Sequence, residues 1–240
     1  MCVPRTDCYR AEVQLRVERP DDRDAVGELQ RRAFGDHGGA VAKLVDALRG
    51  TITSELGLSI VAEDGGEIIG HVMFTPSLLD APRRLVDVQV LSPLGVASEH
   101  QGSGVGSALV RHGLAAAADQ GTPLVFLEGD PGYYSRFGFT PGGDLGFRKP
   151  SLRIPDQAFQ VVKLPAFEPW MGGTLVYAEV FWRYDSVGRR DPDQLPPPAD
   201  IPSSHSGPLG DPQRGCAAAA PEGIPPRVRS NAHQPPSRQR

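Results

Sequence analysis

The sequence predicts a mixed α/β domain with an antiparallel first half and a parallel centre. Three observations carry this reading. Between residues 13 and 185, segments of period-two apolar alternation are interleaved with segments of helical periodicity. A glycine-rich turn joins a long strand-like segment to a long helical one. Half of the 24 prolines fall after Ser186, in a stretch with almost no aromatic residues and no apolar period to supply a buried face. The chain is therefore divided into a flexible N-terminus (1–12), one domain (13–185) and a Pro/Arg-rich tail (186–240), the tail expected to be disordered or to dock a partner.

The elements follow in order. Val13, Leu15 and Val17 share one face of a first strand. Asp21 or Asp22 is placed to cap a helix on which Val26, Leu29 and Ala33 recur, because a carboxylate there accepts from unpaired first-turn amides. A second helical stretch carries Val41, Leu44, Val45 and Leu48. Leu58 to Glu63 and Glu67 to Phe74 form a hairpin about Asp64-Gly65-Gly66, whose glycines tolerate positive φ. Leu85 to Val96 is a long strand that Pro93, lacking an amide hydrogen, must bend or bulge. A helix from about Gly104 to Asp119 bears Val105, Leu109, His112 and Ala116 on one stripe, and Ala115 to Ala118 let it lie close to a sheet. Leu124 to Leu127 is a continuous apolar run suited to a strand covered on both faces. Asp130-Pro131 opens one or two helical turns, and Phe159 to Leu164 and Thr174 to Trp182 supply closing strands.

Composition excludes several classes of function. The net charge is only -4, and no run of Lys or Arg is dense enough to neutralise a series of phosphates, so no nucleic-acid partner is expected. No apolar run approaches the ~20 residues of a membrane span. Met1 to Glu12 has no secretory core, which makes a cytoplasmic location the expectation. Cys2, Cys8 and Cys216 fit neither zinc spacing nor a disulfide framework, so they are read as free thiols, with no metal implied.

The chemistry is concentrated in Leu94-Gly95-Val96-Ala97-Ser98-Glu99-His100-Gln101-Gly102-Ser103-Gly104-Val105-Gly106-Ser107, a strand, a turn and a helix start. Gly102, Gly104 and Gly106 recur at every second position. Such glycines let successive amides turn toward a common point, and a helix N-terminus adds roughly half a positive charge, together an anion site suited to a pyrophosphate. Taken alone, the turn is equally a flexible connector. The Gly-Lys-Ser/Thr of a Walker loop is absent, and the dinucleotide fingerprint meets Ser107 where its third glycine belongs.

Gln101, Gly104 and Gly106 match the Q/R-x-x-G-x-G/A motif of the GNAT acetyltransferases, behind a strand that ends in Leu94-Gly95-Val96. Tyr134-Ser135-Arg136-Phe137-Gly138-Phe139 resembles that family's Y-x-x-x-G-F element, and Gly129 to Tyr134 resembles its YhbS-like bacterial branch. The similarity spans residues 13–185 and includes Arg19 to Asp22 and Gly70-His71.

The resemblance implies a GNAT fold, α/β with a central mixed sheet of about seven strands, helices on both faces and splayed central parallel strands. It implies acetyl-CoA as cofactor, bound by Leu94, Gly95, Val96, Gln101, Gly102, Ser103, Gly104, Val105, Gly106 and Ser107. The strand holding Leu94 to Val96 would part from Leu124 to Leu127, leaving backbone groups free for the pantetheine arm and for polarising the thioester carbonyl. Transfer to a primary amine also needs an acid and a base. Tyr134 takes the acid role by its motif position, with Tyr133 beside it as the alternative. Glu128 is the candidate base, or else ends its strand in solvent; His71, Glu99, His100 or a water chain stay open, with Glu99 and His100 read as surface and His71 as a satisfied structural histidine in preference to a base.

No cysteine lies in residues 13–185 to carry an acyl group, in keeping with direct transfer in a ternary complex. The acceptor, a small-molecule or peptide amine, is not specified by the sequence, nor is the choice of monomer or homodimer. Phe147, Phe167, Trp170 and Met171 either wall an acceptor pocket or close the core. Competing readings are a noncatalytic acyl-CoA-binding module, against which Tyr134 argues, and a scaffold whose tail binds partners.

Overall fold

The Asp64-Gly65-Gly66 turn sets the first register of the sheet. Gly65 (φ 58°) and Gly66 (φ 90°) both adopt the left-handed conformation that suits a tight hairpin turn. The structure, a computed structural model, describes residues 13–188 and 190. Its first half comprises β1 (Gln14–Val17), α1 (Arg23–Ala33), α2 (Gly38–Arg49), β2 (Leu58–Asp64), β3 (Glu67–Asp80) and β4 (Leu85–Val96). The second comprises α3 (Val105–Asp119), β5 (Leu124–Glu128), α4 (Pro131–Tyr134), β6 (Thr140–Pro141), β7 (Phe159–Lys163), β8 (Thr174–Val176) and α5 (Glu179–Arg183). The strands form one mixed sheet in the order β1-β2-β3-β4-β5-β7-β6, and β8 adds to the far end of β3 to make eight rather than about seven.

Burial of two apolar faces holds the layers together. On one face Val26 of α1 and Leu44, Val45 and Leu48 of α2 pack with Val88, Phe126, Phe159 and Phe181. On the other, Leu109 and Val110 of α3 pack with Val72, Phe74, Leu127 and Phe139. Helices thus cover both faces, as the sequence indicates. Among the described residues no helix is long and apolar enough to cross a membrane.

Pro93 has the effect expected of it. Val72 pairs with Leu94 but Phe74 pairs with Leu91, so Met73 alone faces both Ser92 and Pro93 across a bulge. Asp130 accepts from the Gly132 amide at 2.9 Å and caps α4.

The first strand forms as β1, on the edge of the sheet, so Val13 is 38% and Val17 64% exposed and only Leu15 packs against the α3-side core. Other expectations are corrected. Asp22 does not cap α1; its carboxylate accepts from the Arg19 amide and pairs with Arg16, each at 2.6 Å, closing the preceding 3-10 turn instead. His112 and Ala116 leave the buried stripe of α3, which runs Val105, Leu109, Val110, Gly113 and Ala117. Gly113 decides this, since a Cβ there would stand 2.0 Å from the Phe74 ring, so the helix rolls to bring its glycine against the sheet. Thr174 to Trp182 is strand only as far as Val176, after which α5 turns Phe181 inward. Packing also passes the expected boundary at Asp185: Val187 is fully buried in the core.

Candidate functional site

The site begins where β4 and β5 part. The two strands pair in parallel only at Gln89 with Val125 and Val90 with Phe126. Beyond the bulge β4 stays beside β3 as far as Val96 and leaves β5, opening a fork. The Ala97 amide donates to Ile69 of β3 at 2.9 Å, so by strand alternation the peptide groups of Leu94 and Val96 face the other way, into the fork. Gln101 ties the turn to this strand, its Nε2 donating to the Val96 carbonyl at 3.1 Å.

The turn then delivers the start of α3. Gly102 (φ 75°) and Gly104 (φ 97°) hold conformations that side chains disfavour, and Gly104 is an N-cap without a side-chain cap. The first amides of α3 are therefore left free for an anion. A cleft of about 410 Å³ lies here, lined by Leu94, Val96, His100, Gln101, Gly102, Gly104, Gly106, Ser107, Tyr133 and Arg136. Its donors are of the kind an acyl-CoA needs: helix amides and a guanidinium for phosphates, and an open strand edge for amides of the pantetheine.

Seven of the ten cofactor residues expected from the sequence line this cleft, and three turn away. The Val105 side chain is buried in the α3-side core, leaving only its amide on the cleft side. The Ser103 hydroxyl donates to the His100 carbonyl at 2.5 Å. Gly95 faces the opposite side of the sheet, where a Cβ would stand 2.7 Å from Gln30 Oε1. His100, Tyr133 and Arg136 are additions. Arg136 is fixed by its bond to the Tyr133 carbonyl at 2.8 Å and by stacking on the Tyr133 ring at 4.8 Å. Its place two residues after the motif tyrosine Tyr134 is the only sequence signal for Arg136.

Behind Gly95 lies a buried polar chain. Ser59 donates to Glu18, so it accepts from His71 Nε2 at 2.9 Å, and His71 Nδ1 accepts from Gln30 Nε2 at 2.8 Å. Arg49 completes the chain on Glu18 at 2.6 Å. Burial opposes the Glu18 charge, but the nearby His71 ring, 3.7 Å away, and the bonds from Arg49 and Ser59 outweigh it and hold the carboxyl down at about 2. Burial, only partly offset by Glu18, lowers the His71 pKa and keeps the ring neutral. Both ring nitrogens are thus occupied, and His71 is a structural histidine. Glu99 is equally remote from the role of base, being exposed and paired with Arg32 at 2.9 Å.

Tyr134 and Tyr133 divide between them what the motif predicts for one residue. Tyr133 lines the cleft, its hydroxyl 2.8 Å from where a Cβ on Gly106 would lie. Tyr134 is deeper, its ring over Gly129 at the end of β5 and edge-on to Phe139 at 5.9 Å. Burial, with Tyr133 beside it, pushes the Tyr134 phenol up and keeps it protonated.

Glu128 ends β5 on the opposite face. Leu127 belongs to the α3-side core and Phe126 to the other, so Glu128, next in alternation, shares the side of Phe126. Its Oε1 accepts from the Tyr177 hydroxyl at 3.0 Å and its Oε2 from the Gly188 amide at 3.1 Å. Burial raises its pKa, against the pull of these two donors and of Arg153.

The apolar residues considered for an acceptor pocket, Phe147, Phe167, Trp170 and Met171, lie elsewhere. Phe147 and Met171 are buried core. Trp170 stacks with Arg83 and Arg84, at 5.3 and 5.5 Å, in the turn that precedes β4. Phe167 lies under Lys163, which pairs with the first residue of β5. Trp170 and Phe167 thus sit at the end of the sheet away from the fork.

A parted strand pair beside an uncapped, glycine-led helix defines an acyltransferase class, and comparison with known proteins gives the family. Residues 14–142 match the model of the acetyltransferase (GNAT) domain. The chain belongs to the GNAT acetyltransferase family and is an N-acetyltransferase. It is 37% identical over 152 residues to the uncharacterized N-acetyltransferase YhbS of Escherichia coli, covering 62% of this chain and 86% of that one. With E. coli YjhQ it shares 35% identity, covering 57% and 74%. The crystal structure of E. coli YhbS in complex with CoA superposes with a TM-score of 0.66 at 34% identity, covering 78% of this chain and all of that one. A Brucella melitensis GNAT acetyltransferase in complex with acetyl-CoA gives 0.56 at 30% identity, covering 71% and 99%.

Proposed function

We propose that the protein moves an acetyl group from acetyl-CoA directly to a primary amine, both bound at once. The observation that carries this is the two-sided fork. The glycine-led cleft opens on the α3 face, whereas Glu128 stands on the other, so two reactants can approach from opposite faces of the sheet. Acetyl-CoA, when bound, supplies a thioester. The first amides of α3 and Arg136 hold its phosphates, and the free Leu94 peptide groups and the Val96 amide N–H, whose own carbonyl is taken by Gln101, hold its amides and stabilise charge on the thioester oxygen. Glu128 takes the proton that the attacking nitrogen loses as its bond to the acetyl carbon forms. Tyr134 gives its hydroxyl proton to the sulfur as the carbon–sulfur bond breaks. The three cysteines all fall outside residues 13–188, which supports direct transfer over an acyl-enzyme. Glu128 has only uncharged groups on its oxygens, a setting that favours an acceptor arriving as a cation, whether a small molecule or a peptide; that cation gives its first proton to solvent before attack, and Glu128 takes the second.

The test is a thiol-release assay with acetyl-CoA and a panel of small amines, polyamines, aminoglycosides and peptides. With the accepted amine, Tyr134→Phe should lower kcat by roughly 100-fold or more while CoA still binds, the scale of a lost general acid. Tyr133→Phe, at the cleft wall, should act on the KM for acetyl-CoA. Unchanged turnover in Tyr134→Phe would remove the acid role, and CoA binding without turnover of any amine would favour the binding-module reading.

A further inference from the structure

We infer that Tyr177, aided by the backbone of Gly188, is a positioning residue that holds the Glu128 carboxylate ready to receive the acceptor's proton. The inference rests on Glu128 being the base. Tyr177 follows β8 directly, is 5% exposed, and packs on Phe181 of α5 with ring centroids 5.1 Å apart. This fixes the direction of its hydroxyl, which meets Glu128 Oε1 at 3.0 Å.

Gly188 approaches from a separate segment. Ser186 donates to Phe181 at 2.8 Å and Val187 is fully buried, which brings the Gly188 amide to Glu128 Oε2 at 3.1 Å. A side chain is not tolerated there: φ is 61° and a Cβ would lie 2.8 Å from Arg153. Each carboxylate oxygen therefore has one uncharged donor from a different part of the chain. Of the charged groups around it, Arg153 faces Glu128 from the segment before β7 but is paired with Asp185 at 3.3 Å, and Asp185 is itself bonded to Arg190 at 2.6 Å. No cation touches the carboxylate among the described residues, so its charge is held by dipoles and is available to a proton.

The two donors differ in a way that selects an oxygen. An amide N–H only donates, so it favours Oε2 without a proton. A phenol hydroxyl can turn and accept, so Oε1 can be protonated without stranding Tyr177. Tyr177 thus serves both states of the base, and Oε1 is the oxygen that receives the proton.

The test follows the Glu128 carboxyl itself in the full chain, by carbon-13 NMR of side-chain-labelled glutamate, with Glu128→Gln assigning the resonance. Tyr177→Phe keeps the ring packing but removes the donor to the charged form. The Glu128 midpoint should rise by about one pH unit, as loss of one charge-assisted hydrogen bond predicts. The acid limb of kcat/KM for the accepted amine should rise with it, and the KM for acetyl-CoA should not change. Site-specific 3-fluorotyrosine at position 177, with a more acidic hydroxyl, should lower the midpoint. A midpoint that stays put in both variants overturns the inference, even if Tyr177→Phe melts earlier. If Glu128→Gln keeps the wild-type rate and acid limb, it is the base assignment that fails; if it loses them while the midpoint ignores Tyr177, only the role of Tyr177 fails.

Discussion

At Gly95 the space of a side chain is filled by the Gln30 amide, whose other end donates to His71. A methyl group there must displace Gln30 and break a chain of buried hydrogen bonds that reaches Glu18. Gly95→Ala is expected to destabilise the fold by about 1–3 kcal/mol, the usual range for overpacking, as measured by urea unfolding. It should also raise the KM for acetyl-CoA, because the peptide groups of Leu94 and Val96 flank the shifted residue. Wild-type values for both would mean that Gln30 moves freely. The sequence marks Gly95 as part of the cofactor strand but not this reason for the glycine. The clue was Gln30 itself, which follows Val26 and Leu29 at helical spacing and is buried beside them, a polar side chain where the pattern calls for an apolar one. Glu128 was legible as the end of an apolar strand, but Tyr177 and Gly188, 49 and 60 residues away, become its neighbours only on folding.

Among the elements, the turn into α3 was readable because its glycines are conformational requirements rather than packing choices. Gly104→Ala places a side chain at φ 97° and is expected to weaken CoA binding by roughly tenfold, about 1.4 kcal/mol of strain or lost amide alignment, measured by calorimetry. Unaltered affinity would show that the anion site does not depend on that conformation. The bulge in β4 was readable for a similar reason, since proline removes a donor wherever it sits. The parting of β4 from β5 was not readable from Leu85 to Val96 alone, because which strand abandons which is decided by tertiary pairing; it came from the family resemblance. β8 and α5 were merged because Leu175 and Tyr177 keep a period of two, and the inward turn of Phe181 reflects a contact with Tyr177 rather than local propensity.

For the molecule as a whole, the boundary drawn at Asp185 followed composition and missed Val187, a single buried residue beside the proline-rich stretch. Ending the chain after Asp185 removes that side chain and the Gly188 donor, and should lower the thermal midpoint by several degrees, as a loss of about 1–3 kcal/mol implies. Ending it after Arg190 should leave the midpoint and CoA affinity as they are; equal melting of both truncations would show that Val187 contributes nothing. The fork carries a further consequence. An unpaired strand edge in a sheet is ordinarily a place where other chains add on and aggregation starts. Here the free edge of β4 is not on the rim of the sheet but inside it, between strands still joined at Gln89 and Val90. A foreign β-strand would have to bring side chains into that crevice, while a thin, side-chain-poor arm need not. The same geometry that leaves hydrogen bonds unmade for a cofactor withholds them from other proteins.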